Sequence, residues 1–309
     1  MIFNLSLIPI GDSYWVTATK IGSNYIKIFS NPNDRYLRLT ISNVIDTHSI
    51  DSTAVYITFP NGVKLKFQIF DFDNNDYTKM YDSKILLDIF GKVTTILTRN
   101  PLERFKSGFI QKVSELYSEI PHVLKSNKLD NVKFHKDTYF DLTRYDIDYS
   151  LLIDGFGITP KEQNHQWPNE WNKFTQLLLT DVFNRHDIDR ILVDDFHTQP
   201  VYHFFYLILS SLPNWSKIRT LDINELDSYS KLIVDEIGLD EYQHRKNLLD
   251  NKENWNEDID YVNILKRVSN KRLYFDSDLI TNHFENSPIY IHEKIYYDIL
   301  NKKRYKRTL

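Results

Sequence analysis

Apolar residues recur along this chain in two different periods, and the switches between them mark out alternating strands and helices. Tyr14-Trp15-Val16-Thr17-Ala18-Thr19 reads as a short strand and Lys20-Ile21-Gly22-Ser23-Asn24 as a tight turn. Tyr25, Ile26, Ile28 and Phe29 are then the buried positions of a helix that stops near Asn31-Pro32. Arg35 to Ile45 alternates as a half-buried strand does, with Tyr36, Leu37, Leu39, Ile41 and Val44 as its apolar members. Two β-rich runs flank Pro60-Asn61-Gly62, which predicts a hairpin over 55–75, a candidate insertion decorating the sheet. Val93, Ile96 and Leu97 supply the next strand, which runs straight into a helix. Pro101 suits a first helical position, Asn100 can cap it, and Glu103 occupies the capping-box position. At about 100° per residue, Leu102, Phe105, Phe109, Val113 and Leu116 share one stripe, so they face the core and Ser107 faces away.

Residues 120–170 lose this regularity and are punctuated by Pro121, Gly155, Gly157, Pro160 and Pro168. So long an irregular stretch predicts functional loops. Ile191 to Val193 then leads into Asp194, Asp195 and His197, and Pro200 opens an almost wholly apolar helix to Leu212 that must be interior. Lys217 to Ile223 is a strand, and Glu225 to Ile237 a helix closed by Gly238. The rest reads as helices over Tyr242 to Leu249, Ile259 to Val268, Asp276 to Phe284 and Ile289 to Leu300. The pattern predicts an α/β class with a helical C-terminal part, as a single domain over 1–309.

Composition narrows the function classes. Apolar residues make up 41 % of the chain and aromatic ones 14 %, enough for a full core and against disorder. The chain has no Cys, which excludes disulfides, thiolate metal sites and cysteine nucleophiles together. The apolar run from Val201 to Leu212 is shorter than the roughly 18 residues a membrane span needs, and Met1-Ile2-Phe3-Asn4 lacks a basic leader region. A cytoplasmic protein without a membrane anchor is expected. A net charge of −4 gives no general reason to bind nucleic acid.

Two segments carry candidate chemistry. The strand, glycine-containing turn and helix at 14–29 form a phosphate-cradle layout, because backbone N–H groups at a helix start point at an anion. It is not a Walker A loop, since Lys20 precedes the only Gly rather than following a second one. The segment from Thr98 to Phe109 sets the Arg99 guanidinium at a strand's carboxyl end, where open α/β sheets bind ligands. Arg offers a planar fork of donors for phosphate oxygens, and Ser107 adds a hydroxyl.

Lys-x-Gly-Ser followed by Arg-Asn-Pro-x-x-Arg-Phe-x-Ser-Gly resembles the sulfotransferases that use 3′-phosphoadenosine-5′-phosphosulfate (PAPS). The likeness is closest to the carbohydrate sulfotransferase branch. An aromatic-rich helix over Phe174 to Phe183, then Asp195-Phe196-His197-Thr198-Gln199-Pro200, then Asp222-Ile223-Asn224-Glu225-Leu226, echo later stretches of that branch, so the likeness spans residues 14 to 240. The resemblance implies a P-loop-like sulfotransferase fold with a central, mainly parallel sheet flanked by helices. It implies PAPS as donor co-substrate, no metal, and a carbohydrate or other hydroxyl-bearing acceptor facing residues 120–170, where Trp167 and Trp171 are candidates for stacking on a sugar. By the same resemblance Lys20 acts on the oxygen between sulfur and phosphorus, the N–H groups of Gly22, Ser23 and Asn24 hold the 5′ phosphate, and Arg99 and Ser107 hold the 3′ phosphate. An acceptor hydroxyl also needs a general base, for which histidine is suited near neutral pH. His48, between the two phosphate motifs, and His197 are the candidates. Two other classes stay open: a nucleotide-dependent phosphotransferase, against which the missing Walker A loop counts, and a non-catalytic binding protein of sulfotransferase-like fold. Thr19 and Asn24, which depart from the family's loop, are the hints for the second.

Overall fold

In the computed structural model of the chain, the described residues are 2–21, 26–30, 37–43, 54–71, 76–77, 82–126, 128–136, 138–148, 169–225, 230–250 and 277–303. The strands are β1 (Ile2–Ile10), β2 (Ser13–Thr17), β3 (Leu37–Asn43), β4 (Ala54–Thr58), β5 (Lys64–Asp71), β6 (Asp76–Tyr77), β7 (Val93–Thr98), β8 (Val132–His135), β9 (Thr138–Phe140) and β10 (Arg219–Asp222). The α-helices are α1 (Ser83–Gly91), α2 (Pro101–Ser126), α3 (Asn169–Phe183), α4 (Ile188–Asp194), α5 (Tyr202–Leu209), α6 (Ser230–Ile237), α7 (Leu239–Asp250), α8 (Ser277–Asn286) and α9 (Pro288–Asn301). These elements fall into two compact units. One comprises Met1–Arg104, Gln199–Asn254 and Ile289–Leu309, the other Phe105–Thr198 and Trp255–Pro288.

The first unit is built on an eight-stranded sheet in the order β10-β7-β2-β1-β3-β5-β4, with β6 paired to β5. The sheet is mixed, where the resemblance implied a mainly parallel one. β7 runs parallel to β2 and to β10, whereas β1, β3, β4, β5 and β6 pair antiparallel. Short turns enforce this, because two strands joined by a tight hairpin can only pair antiparallel, whereas parallel neighbours need a long crossover. Gly11-Asp12 joins β1 to β2 in that way. Pro60-Asn61-Gly62 likewise joins β4 to β5, closed by Phe59 N–H to the Val63 carbonyl at 2.8 Å and Gly62 N–H to the Phe59 carbonyl at 2.8 Å. The predicted hairpin is therefore present, and through β5 and β3 it continues the main sheet.

β1 is the central strand, and Leu5, Leu7, Ile8 and Ile10 are all buried. Phe3 stacks on Phe204 of α5 with ring centroids 3.7 Å apart. Phe59, Phe67 and Phe90 form a second ring cluster. Each fully buried Phe contributes about 1.5–3 kcal/mol of transfer free energy. α5 is interior as its composition predicts, with Tyr202, Phe204, Phe205, Ile208 and Leu209 buried. Gly238 ends α6 with φ +85°, a left-handed value that favours glycine, and its N–H reaches the Val234 carbonyl at 2.8 Å. α7 follows at once from Leu239, earlier than the predicted Tyr242.

α2 begins as the sequence predicts. Asn100 Oδ1 accepts from the N–H groups of Leu102 (3.0 Å) and Glu103 (3.2 Å), satisfying two of the orphan donors of the first turn. The helix then runs past Pro121 to Ser126, so residues 120–126 are helical and not part of an irregular segment. A proline inside a helix removes one i→i−4 bond, and this helix continues in spite of that. Further regular structure follows in the β8–β9 hairpin. Residues 149–168, which include Trp167, lie outside the described residues. In the second unit Phe105 and Phe109 of α2 are buried. Phe109 stacks on Phe183 of α3 with centroids 5.1 Å apart, and Phe105 packs on Phe284 of α8 at 5.5 Å. Among the described residues no helix is long and apolar enough to cross a membrane.

Candidate functional site

In the first unit the chemistry-bearing residues collect at the carboxyl ends of the parallel strands β2, β7 and β10. The chain leaves β2 in a turn closed by Ile21 N–H to the Ala18 carbonyl at 3.1 Å. Lys20 stands at its third position with φ +66°, where Gly or Asn is usual. A non-glycine residue held there costs free energy that its surroundings must supply. Three groups supply it. The Thr17 hydroxyl donates to the Ile21 carbonyl at 2.8 Å, Arg104 Nε to the Thr19 carbonyl at 3.2 Å, and Arg99 Nη1 to the Lys20 carbonyl at 3.2 Å. Two guanidinium groups thus grip successive carbonyls of the turn that carries Lys20.

Both arginines are themselves fixed. Arg104 is only 2 % exposed, and its Nη1 donates to the Gln199 carbonyl at 2.6 Å. The Arg99 backbone is held by the Tyr202 hydroxyl, which accepts from Arg99 N–H at 2.7 Å and donates to the Arg99 carbonyl at 2.6 Å. Burial pushes the Tyr202 phenol well up, so it remains a donor. Tyr202 opens α5, and there Glu293 of α9 accepts from the N–H groups of Val201 (2.9 Å) and Tyr202 (2.8 Å). Burial pushes the Glu293 carboxyl up to about 7, against the opposing pull of the Arg104 guanidinium and the backbone N–H groups. Burial also lowers the Arg99 guanidinium from its ordinary value, with Glu103 among the groups pulling the other way. Arg99 Nε and Arg104 Nη2 are buried and have no hydrogen-bond partner among the described residues.

The second unit has its own node at Asp195, 3 % exposed, just after α4. Its Oδ1 accepts from His197 N–H at 2.8 Å and lies 3.1 Å from His197 Nδ1. Its Oδ2 lies 3.1 Å from Lys112 Nζ and 3.4 Å from His135 Nδ1. Burial by itself would raise this carboxyl, but the His197 hydrogen bond and the Lys112 ammonium outweigh it and hold it well below the usual carboxylate range. An ionised carboxylate only accepts, so His197 Nδ1 carries the proton that faces Asp195. That is the geometry of an oriented general base. The His135 ring is lowered by burial, and its Nε2 is buried without a partner among the described residues. Gly108 of α2 lets the His197 segment approach, since a Cβ there would run into the His197 carbonyl.

No family model, no curated protein and no solved structure matches this chain. The site therefore rests on its own geometry.

Of the residues singled out from sequence, Lys20 and Arg99 come together in the first unit. His197 meets Asp195 in the second, and Ser107 lies partly exposed on α2, also in the second. Gly22, Ser23, Asn24 and His48 lie outside the described residues. Sequence reasoning missed Arg104, Glu293, Lys112 and His135. The signal for Arg104 was available, because it neighbours Phe105 on the buried side of the helix. For Glu293 and His135 no local signal exists, since tertiary pairing alone defines their partners.

Proposed function

We propose that the protein transfers a sulfuryl group from PAPS to a hydroxyl of a carbohydrate or glycoconjugate acceptor. The observation that supports this most is the pair of arginines gripping the Lys20 turn, each with a buried nitrogen that lacks an acceptor among the described residues. A buried unpaired donor costs about 1–3 kcal/mol, more for a charged group, and an anionic oxygen is the acceptor that satisfies it best. In this reading Arg99 and Ser107 recognise the 3′ phosphate. The N–H groups of Gly22, Ser23 and Asn24 hold the 5′ phosphate, and Lys20 meets the charge developing on the bridging oxygen. The acceptor oxygen attacks sulfur while the sulfur–oxygen bond to the 5′ phosphate breaks, leaving its electron pair on the phosphate. The acceptor's proton passes to an imidazole, for which His197 is suited by its Asp195 partner, with His48 the other candidate. No metal is needed to balance this step.

The test is thermal denaturation with adenosine 3′,5′-bisphosphate against AMP. A ligand bound only by the folded state at about 100 times its Kd stabilises by about 2.7 kcal/mol, so the bisphosphate should raise Tm far more than AMP at equal concentration. Equal shifts would refute the 3′-phosphate assignment. Transfer of labelled sulfate from PAPS onto a glycan panel then identifies the acceptor.

A further inference from the structure

The second unit contains a cleft of about 400 Å³ between the β8–β9 hairpin, the turn after β9 and the end of α3. Its polar groups are oriented by partners on one edge and open on the other. Arg185 is the clearest case. Its Nε and one Nη2 N–H donate to Asp187 (3.0 and 3.3 Å) and its Cζ lies 5.7 Å from the Phe140 ring centroid, which leaves the second Nη2 N–H and both Nη1 N–H groups as donors. Asp181 Oδ2 accepts from the Tyr145 hydroxyl at 2.7 Å, leaving Oδ1. Asn184 lines the same cleft, and among the described residues its side-chain amide has no protein partner. Tyr139, 45 % exposed, contributes an open ring face and a hydroxyl.

We infer that this cleft binds an uncharged, hydroxyl-rich ligand, a saccharide ring in chemical terms. The charges decide against the alternatives. Asp130, Asp141 and Asp181 line the cleft together with Arg144, which is paired with Asp141 at 3.2 Å, and Arg185, a balance of three carboxylates to two guanidinium groups that disfavours a polyanion. Among the described residues no group of acidic or imidazole side chains is arranged to hold a metal ion. Alternating acceptors and donors fit hydroxyl groups, because each hydroxyl both donates and accepts. The Tyr139 ring gives the apolar face of such a ring a surface to lie on. Fixing Arg185 and Asp181 beforehand reduces the ordering cost of binding. The inference extends the acceptor side of the reading above and does not depend on its donor side.

The experiment measures binding to the full-length protein without any nucleotide, by saturation-transfer NMR and calorimetry. The probes are cellohexaose, maltohexaose and N-acetylchitohexaose, with a heparin hexasaccharide as the charged counterpart. At least one neutral probe should bind, and Asn184→Ala and Tyr139→Ala should each weaken it about fivefold to tenfold, the loss of one or two hydrogen bonds or a stacking contact. Far-UV circular dichroism of both variants should match the parent. Absence of binding by all three neutral probes overturns the inference, as does binding that neither variant weakens, or tighter binding of heparin through Arg185. Failure here with a normal bisphosphate shift strikes the cleft alone. A missing bisphosphate shift with normal saccharide binding strikes the donor assignment alone.

Discussion

Glu293→Gln isolates the buried carboxyl that ties α9 to the start of α5. Glu293 is 2 % exposed, and burial raises its carboxyl from the usual 4.5 to about 7. An acid whose folded value lies above its unfolded one binds its proton more tightly when folded, so stability falls as pH rises between the two values. A difference of about 2.5 units at 1.36 kcal/mol per unit gives about 3 kcal/mol, accrued between pH 4.5 and pH 7 and constant above. Glutamine does not titrate, keeps one carbonyl acceptor for the N–H groups of Val201 and Tyr202, and replaces the second oxygen by an NH2 donor, a change that is the same at every pH. The stability of the variant relative to the parent should therefore rise by about 3 kcal/mol between pH 4.5 and pH 8, whatever constant offset the amide introduces. Urea denaturation of both proteins from pH 4.5 to pH 8 measures this, because every other titrating group cancels in the difference. A difference independent of pH would refute the reasoning. A difference that grows in the parent's favour would show that the N–H groups of Val201 and Tyr202, together with Arg104, outweigh burial and keep Glu293 ionised throughout.

Three further outcomes follow from the site. Arg99→Ala should weaken adenosine 3′,5′-bisphosphate by about 1.5–3 kcal/mol, the worth of hydrogen bonds to a charged group, and bring its thermal shift close to that of AMP. His197→Ala should lower turnover about 10²–10⁴-fold with bisphosphate affinity retained, whereas parental turnover would remove His197 as the base. Gly108→Ala would gain up to about 1 kcal/mol at an exposed helical position. Here its Cβ would collide with the His197 carbonyl and approach Thr198 Cγ2 to 3.2 Å, so overpacking should win and cost about 1–3 kcal/mol in denaturation.

Elements with local signals were legible in the sequence. The Asn100 cap, the Pro60-Asn61-Gly62 turn, the Gly238 stop and the interior helix after Pro200 all depend on residues close to one another in the chain. The sequence pattern does not single out β1, although it is the central strand of the sheet. Pro9 interrupts its pattern, and proline is rare within central strands. In the described pairing Pro9 stands opposite Tyr14 of β2. The sheet's parallel and antiparallel halves were illegible for another reason, since strand order is decided by partners far apart in sequence. The same holds at the Asp195 node. Asp195 and His197 could be linked from sequence because they are neighbours, but Lys112 and His135 arrive from α2 and β8.

The segment Arg-Asn-Pro-x-x-Arg-Phe-x-Ser-Gly holds more structural information than its likeness to a phosphate site suggests. Arg104, Gly108 and Lys112 recur every four residues, a spacing that sets them on one face of α2 beside the apolar stripe of Phe105, Phe109 and Leu116. Each member of this second stripe has a distinct task. Arg104 binds the carbonyls of Thr19 and Gln199, Gly108 admits the His197 carbonyl, and Lys112 neutralises Asp195. A large residue at 108 would displace the His197 backbone, and an apolar one at 112 would leave a buried carboxylate without its ammonium partner, held by the His197 N–H and two imidazoles. The glycine is thus required for close approach and not for flexibility, and the lysine for charge. Arg104 thus serves the Lys20 turn in the first unit, whereas Gly108 and Lys112 serve Asp195 and His197 in the second.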